Sequence, residues 1–222
     1  MKLYMFSPDD LPHPNWLFHT VDRDRNVPDP PYDKLVCVRC GRFSYDDVFA
    51  LGFEKVSPFF RVKTDIFCSD EGFYCVNKRF TDLIQMEQFP GLNIKPAGNT
   101  GWNVINITAR FEVRDDVYQK ARPELCRVCG RPTLIGSLRH LGQMRSFPKS
   151  ETFFSTTTDR QGSGGLDRDF LLTEGIVTAL KRNKIKGGAL HELLDEETDA
   201  KLSIAWQRGE KIKFPKGSQI VL

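Results

Sequence analysis

Residues 73–97, which read FYCVNKRFTDLIQMEQFPGLNIKPA, give the clearest indication of the fold. The apolar run FYCV at its start predicts a short strand. An amphipathic helix follows, because apolar residues recur on one side of it at helical spacing: Phe80, Leu83, Ile84 and Met86. The pair Pro90-Gly91 ends that helix, and the apolar residues of LNI after it predict a second strand. The stretch is therefore predicted to be a strand–helix–strand unit.

Residues 170–194 repeat this pattern as FLLTEGIVTALKRNKIKGGALHELL. FLL predicts a strand, and Thr173 is a suitable N-cap for the helix after it. The apolar stripe of that helix consists of Ile176, Val177 and Leu180. Gly187-Gly188 ends the helix, and residues 189–194 predict the closing strand.

The two stretches align when one is shifted by 96 positions (176 minus 80), which places Phe80 on Ile176. The same shift places Gly91 on Gly187. An internal duplication would explain the alignment. Short amphipathic units also resemble one another by chance, so the sequence leaves both interpretations open.

The remaining segments are less regular. Residues 1–6 predict a short strand, and the Pro- and Asp-rich residues 7–34 predict irregular surface chain. Residues 102–113 alternate apolar with polar and predict a strand. The polar residues 150–168, which include Ser-Gly-Gly, predict a mobile loop. The apolar residues of the tail, residues 206–222, predict a last hairpin or strand pair.

Two copies of Cys-x-x-Cys-Gly are the sharpest chemical signal: CVRCG at 37–41 and CRVCG at 126–130. A two-residue spacer lets both sulfurs of a tight turn reach one metal at about 2.3 Å. The glycine takes a positive φ without strain. Four thiolates form a closed tetrahedral set that suits zinc and leaves no position for water. We therefore predict one structural, not catalytic, zinc, held by Cys37, Cys40, Cys126 and Cys129.

Other interpretations of the cysteines stay open. The four could be reduced thiols in a core, or one CxxC could be a redox motif at the start of a helix. Cys75 lies in an apolar strand and most simply acts as a small core hydrophobe. A pair of Cys68 and Cys75 could instead form a second half-site or exchange ligands with the first.

These elements predict an α+β fold with mixed or antiparallel sheets. It contains two strand–helix–strand units, each preceded by a CxxCG zinc knuckle and joined through one four-cysteine site. We divide the chain into a Pro-rich segment, residues 1–34, a first unit, 35–114, and a second unit, 115–222. The three could form one compact domain.

Composition limits the function. Of 222 residues, 40% are hydrophobic, enough for a sizeable core. The 32 basic and 29 acidic residues leave a net charge of +3, too balanced for a dedicated nucleic-acid binder. The densest basic run, residues 181–186, is interpreted as the solvated last turn of a helix, whose dipole favours cations, rather than a phosphate-binding patch. We found no signal peptide and no apolar run near the roughly 20 residues that span a bilayer, and so expect a cytoplasmic protein.

No catalytic grouping can be assembled. HExxH, GxSxG and phosphate-loop motifs do not occur. The histidines stand in no nucleophile or metal motif: His13, His19, His140 and His191. We therefore predict that the chain is not an enzyme.

The two CxxCG motifs and the two strand–helix–strand stretches resemble the double-CXXCG-motif immunity proteins, bacterial antidotes to contact-delivered polymorphic toxins. The resemblance covers roughly residues 33–194. The chain departs from the family in its Pro-rich start, in the 28 residues after position 194 (222 minus 194), and in Val38, where a proline is common. The resemblance implies a non-enzymatic cytoplasmic protein that occludes a cognate protein toxin. Acidic stretches at 65–71 and 195–197 could then steer a basic toxin.

The alternative is a zinc-ribbon-type adaptor that binds nucleic acid. It would use the arginines beside the cysteines and the run Phe59-Phe60-Arg61. The near-neutral net charge makes nucleic acid the less favoured partner.

Overall fold

A computed structural model of the chain describes residues 2–8, 31–40, 43–54, 62–69, 71–114, 125–130, 141–156, 160–161, 166–167, 170–211, 215–216 and 218–222. This part of the chain is mixed α+β. It contains four α-helices: α1 (Tyr45–Leu51), α2 (Lys78–Glu87), α3 (Glu174–Arg182) and α4 (Glu196–Gln207). It also contains two short 3-10 helices, Tyr32–Leu35 and Leu141–Gln143.

Two sheets carry most of the strands. The smaller comprises β2 (Ile66–Cys68), β3 (Tyr74–Asn77), β4 (Leu92–Pro96) and β5 (Trp102–Ile107). The larger comprises β1 (Leu3–Pro8), β6 (Arg110–Phe111), β7 (Phe153–Thr156), β10 (Leu171–Thr173), β11 (Gly188–Glu192) and β12 (Gln219–Val221). A separate ribbon pairs β8 (Arg160–Gln161) with β9 (Leu166–Asp167). The strand orders are β2-β3-β5-β4 and β12-β11-β1-β10-β7-β6, antiparallel throughout except for β6 and β7.

Both predicted strand–helix–strand units are present, as β3-α2-β4 and β10-α3-β11. Phe80, Leu83 and Ile84 are buried, and burying each such side chain contributes roughly 1.5–3 kcal/mol. The equivalent stripe of α3 is buried as well. Met86 is 66% exposed, so its predicted place on the apolar side of α2 is wrong.

The side chains of the strands alternate between separate apolar clusters, as the two-residue period of a strand requires. Phe153 packs in the main cluster with both helices, whereas Phe154 packs in a cluster with Leu3 and Leu171. In the smaller sheet Val76 belongs to the main cluster and Cys75 to a third cluster rich in aromatic residues. The main core therefore lies between one face of each sheet and the helices α2 and α3.

The two units repeat at the level of single hydrogen bonds. After α2, the amide of Phe89 donates to Ile84 O, and after α3, 96 positions later, Ile185 N donates to Leu180 O. Gln88 and Lys184 occupy the same position of the two turns, and their φ angles are +53° and +52°. The shift of 96 that aligns the sequences thus also aligns the backbone.

Each unit contacts a strand of the other sheet through the residue after its helix turn. Phe153 N donates to Pro90 O at 3.2 Å, and Ile66 N donates to Lys186 O at 3.2 Å. The next residue in each case is a glycine with positive φ. A Cβ on Gly91 would overlap the carbonyl oxygen of Phe153, and one on Gly187 would overlap that of Ile66.

The N-terminal strand completes the second unit. In the smaller sheet β5 lies between β3 and β4, and in the larger sheet β1 lies between β10 and β11. The registers correspond, because Val104 faces Cys75 and Lys95, while Met5 faces Leu171 and His191. The strand predicted at residues 1–6 therefore pairs with segments from the far end of the sequence.

Three predictions of local structure need correction. The predicted tail at 206–222 begins with the last two residues of α4, a helix that Asp195 caps with its carboxylate on Thr198 N. Its end is the strand β12, which pairs with β11, and residues 212–214 and 217 lie outside the described residues. The single strand predicted over 102–113 is broken into β5 and β6. Thr173 is the N-cap residue of α3, as predicted, although the side-chain acceptor there is the Glu151 carboxylate, which accepts from Gly175 N and from the Thr173 hydroxyl. The predicted loop at 150–168 instead contains β7, β8 and β9, while its Ser163-Gly164-Gly165 lies outside the described residues.

We expect Gly91→Ala and Gly187→Ala each to lower the free energy of unfolding by about 2–5 kcal/mol, because a methyl group would meet a backbone oxygen and φ is positive. Gly209→Ala is the control, since φ is +69° there and no atom lies within 4 Å of the added carbon. It should cost about 1–2 kcal/mol. Urea unfolding measures all three, and equal losses would contradict the close approach.

Candidate metal centre

Four cysteine side chains from two distant segments converge on one point. The sulfurs of Cys37, Cys40, Cys126 and Cys129 all lie within 4.8 Å of one another. Two of the separations cross between the segments: 3.9 Å from Cys37 Sγ to Cys126 Sγ, and 3.7 Å from Cys40 Sγ to Cys129 Sγ. The cluster therefore joins parts of the chain that are 89 positions apart.

These separations fit a single metal ion. A tetrahedron with metal–sulfur bonds of about 2.3 Å has edges of about 3.8 Å. All four thiols are free, so no disulfide competes for the sulfurs. Cys37 and Cys126 are buried, and Cys40 and Cys129 are partly exposed. Four cysteines so placed could hold a metal ion.

Backbone amides favour the thiolate form of the first cysteine in each segment. The N–H groups of Cys40 and Arg39 lower the pKa of Cys37. The corresponding amides of Cys129 and Val128 lower the pKa of Cys126 to about 6. A hydrogen bond to the charged form favours that form, and metal binding requires it.

The chain turns back after the second segment. Gly130 N donates to Cys126 O at 2.7 Å, and φ of Gly130 is +69°. This is the positive φ that the sequence predicts for the residue after the second cysteine. The matching Gly41 lies outside the described residues.

Aromatic residues fasten the first segment to the smaller sheet. The hydroxyl of Tyr32 donates to Gly52 O at 2.9 Å, and that of Tyr45 donates to Ile105 O at 2.9 Å. Phe43 is fully buried in the same aromatic cluster. The first pair of cysteines therefore lies between Tyr32, which is bonded to the residue after α1, and Tyr45, which is bonded to β5 of the smaller sheet.

The other two cysteines lie outside the cluster. Cys75 is fully buried, and burial raises the pKa of its thiol well above the usual value. This confirms its interpretation as a small core hydrophobe. Cys68 is partly exposed in β2, where it faces Tyr74.

The remaining candidates are dispersed or lie outside the described residues. His191 lies in β11, whereas His13, His19 and His140 are not described. Arg39 and Arg127 are exposed beside the cysteines. The run Phe59-Phe60-Arg61, with Arg42 and Arg131, is again not described.

The expectation that the acidic stretch 65–71 steers a partner is wrong for its described carboxylates. Asp65 and Glu71 are 6% and 1% exposed. Asp65 accepts from Asn77 Nδ2 and from the amide of Lys186, and it pairs with Arg79. These contacts of the Asp65 carboxylate thus connect the start of β2 to the turn before β11.

Compared with known protein families, curated proteins and solved structures, the chain shows no match. Across the described residues, none of the helices has the length and apolar character needed to cross a membrane.

We expect the thiolate of Cys126 to form near pH 6 once metal has been removed with a chelator, because its pKa is lowered. Iodoacetamide labelling, followed residue by residue by peptide mass spectrometry, should rise through that pH, since the thiolate is the nucleophile. Cys75 is the internal control and should stay unlabelled in the folded protein. The stabilisation from this thiolate is present above the unfolded-state pKa and is lost as pH falls through about 6. Labelling with a midpoint near 9 would contradict the shift.

Proposed function

We propose that the four cysteines hold one structural zinc, and that the zinc-stabilised chain is an immunity protein that neutralises a cognate bacterial toxin by occlusion. The observation that carries the proposal is the convergence of four thiols from segments 89 positions apart. Each segment then acts as a zinc knuckle, and the metal joins the unit at 35–114 to the unit at 115–222.

Zinc is favoured over other metals by the ligand set. Four thiolates are soft donors, and a tetrahedral arrangement of sulfur suits zinc. The exposed Arg39 and Arg127 would offset part of the double negative charge of such a centre. Four protein ligands leave no position for a substrate or a water molecule, which supports a scaffold rather than an enzyme.

The surface around the cysteines supports a role in protein binding. Val38 is 96% exposed, Val128 59% and Leu125 60%, all on the two cysteine segments. Exposed apolar patches mark sites of protein interaction, and arginine is enriched among the residues that contribute most to binding. We place the toxin contact at this surface, here called the cysteine-segment surface (Val38, Arg39, Leu125, Arg127 and Val128). The resemblance to the immunity family supplies the class of the partner.

A nucleic-acid-binding adaptor is the second candidate, and the exposed Arg39 and Arg127 favour it. Phosphate contacts would make its affinity fall steeply with salt. An RNA- and DNA-binding assay over a salt series separates the candidates. A salt-dependent affinity that is lost on mutation of these arginines would favour the adaptor.

We expect the purified chain to carry one zinc ion, visible by native mass spectrometry. Cys126→Ser should reduce zinc to below about a tenth of that content and lower the melting temperature by about 10 °C or more, because structural zinc contributes directly to folding. Cys68→Ser is the matched control, since Cys68 lies outside the cluster. Full zinc and full stability in Cys126→Ser would refute the site.

We expect co-expression of the chain to protect cells against the toxin encoded beside its gene. Val38→Asp with Val128→Asp should keep the zinc but weaken toxin binding by about 100-fold or more, because charge replaces apolar contact at the centre of the interface. Cell survival and co-purification measure the two effects. A zinc-loaded wild-type chain that neither protects nor co-purifies would refute the immunity role while leaving the metal site standing.

A further inference from the structure

A cavity of about 470 Å³ lies where the chain entering β2 meets the turn between α3 and β11. Lys63 and Thr64 line one side, and Lys181, Lys184 and Lys186 line the other. Sequence position does not suggest this grouping, because Lys63 lies more than a hundred residues from the others. Four cationic side chains therefore surround one concave space.

The charge of the four lysines is not neutralised within the described part of the chain. None of them has a carboxylate within ion-pair distance there. The two nearby acids are already engaged, Asp65 with Arg79 and Glu87 with Arg182. Like charges held together repel one another, so this arrangement favours an anion between them.

The internal repeat shows that the fold does not require these lysines. The shift of 96 positions places Gln85 on Lys181, Gln88 on Lys184 and Pro90 on Lys186. Both helices have the same dipole, so cations would be favoured equally at the end of α2. Dipole stabilisation in a solvated last turn therefore does not account for the difference between the repeats.

The cavity has an apolar part as well. Ile185, Val221 and Leu222 contribute to its lining. Its volume falls within the range of about 300–1,000 Å³ that small-molecule sites occupy. Lysines around a cavity differ from the extended basic stripe with which proteins follow a nucleic-acid backbone.

We propose that this cavity binds a small molecule that carries at least two phosphate groups and an aromatic or apolar group, of the nucleoside diphosphate class. Lys63, Lys181, Lys184 and Lys186 contact the phosphates as point charges. The apolar wall receives the base. The site is independent of the cysteines and goes beyond the proposed immunity function.

Isothermal titration of the zinc-loaded full chain with ADP and with inorganic pyrophosphate tests the site. We expect saturable one-to-one binding of both, with ADP tighter by at least about threefold because of the apolar wall. Lys181→Gln with Lys184→Gln should weaken binding by at least about tenfold. This variant is expected to fold, because glutamine occupies both equivalent positions of the first repeat.

Lys78→Gln with Lys201→Gln is the matched control. It removes the same charge from two surface lysines that pair with carboxylates, and it should change affinity by less than about twofold. Loss of affinity equal to that of the cavity variant would refute the site. So would equal affinity for ADP and pyrophosphate, no saturable binding below about 1 mM, or tighter binding of a single-stranded RNA oligonucleotide through the same lysines.

Discussion

The fold depends on a reciprocal backbone contact between two similar units. Pro90 in the first unit accepts a hydrogen bond from β7 of the larger sheet, and Lys186 in the second accepts one from β2 of the smaller sheet. Each contact is followed by a glycine that allows the chains to touch. Because each unit touches a strand of the other sheet, neither sheet can shift without disturbing both contacts. The main apolar core lies between the sheets that these contacts hold together.

The cysteine cluster is a second link between the same two halves of the chain. Cys37 is close to Cys126 and Cys40 to Cys129, so each of these sulfur pairs takes one cysteine from either half. The backbone contacts fix the inner faces of the units, and a metal at the cluster would fix segments outside the main core. Fixing the units both at their inner faces and at the cysteine cluster would give the chain a rigid surface. The cavity proposed to bind phosphate lies beside the backbone contact of the second unit, because Lys186 takes part in that contact and also lines the cavity.

The sequence predicts those features that depend on neighbouring residues. The apolar stripes of α2 and α3, the glycines that end their turns and the spacing within each cysteine motif are all local patterns, and they identified both units and the cluster. Features formed by residues that are far apart in the sequence could not be predicted from it. Nothing near Glu151 indicates that its carboxylate caps α3, and nothing near Lys63 indicates that it meets Lys186. The helix before the tail was not predicted, because its start depends on the capping of Thr198 N by Asp195.

The position of β1 has a consequence for how the protein forms. Its hydrogen-bonding partners, β10 and β11, are separated from it by more than 160 positions, whereas β5 follows the strands that it joins within a few tens of residues. During synthesis on the ribosome the smaller sheet can form early. Residues 3–8 leave the ribosome before their partners do, and they can pair only after β10 and β11 have been synthesised. Contacts between residues so distant in sequence slow folding, and an apolar strand favours aggregation for as long as it is unpaired. The half of the chain that is synthesised earlier therefore contains an unpaired strand, and only the half that is synthesised later can pair with it.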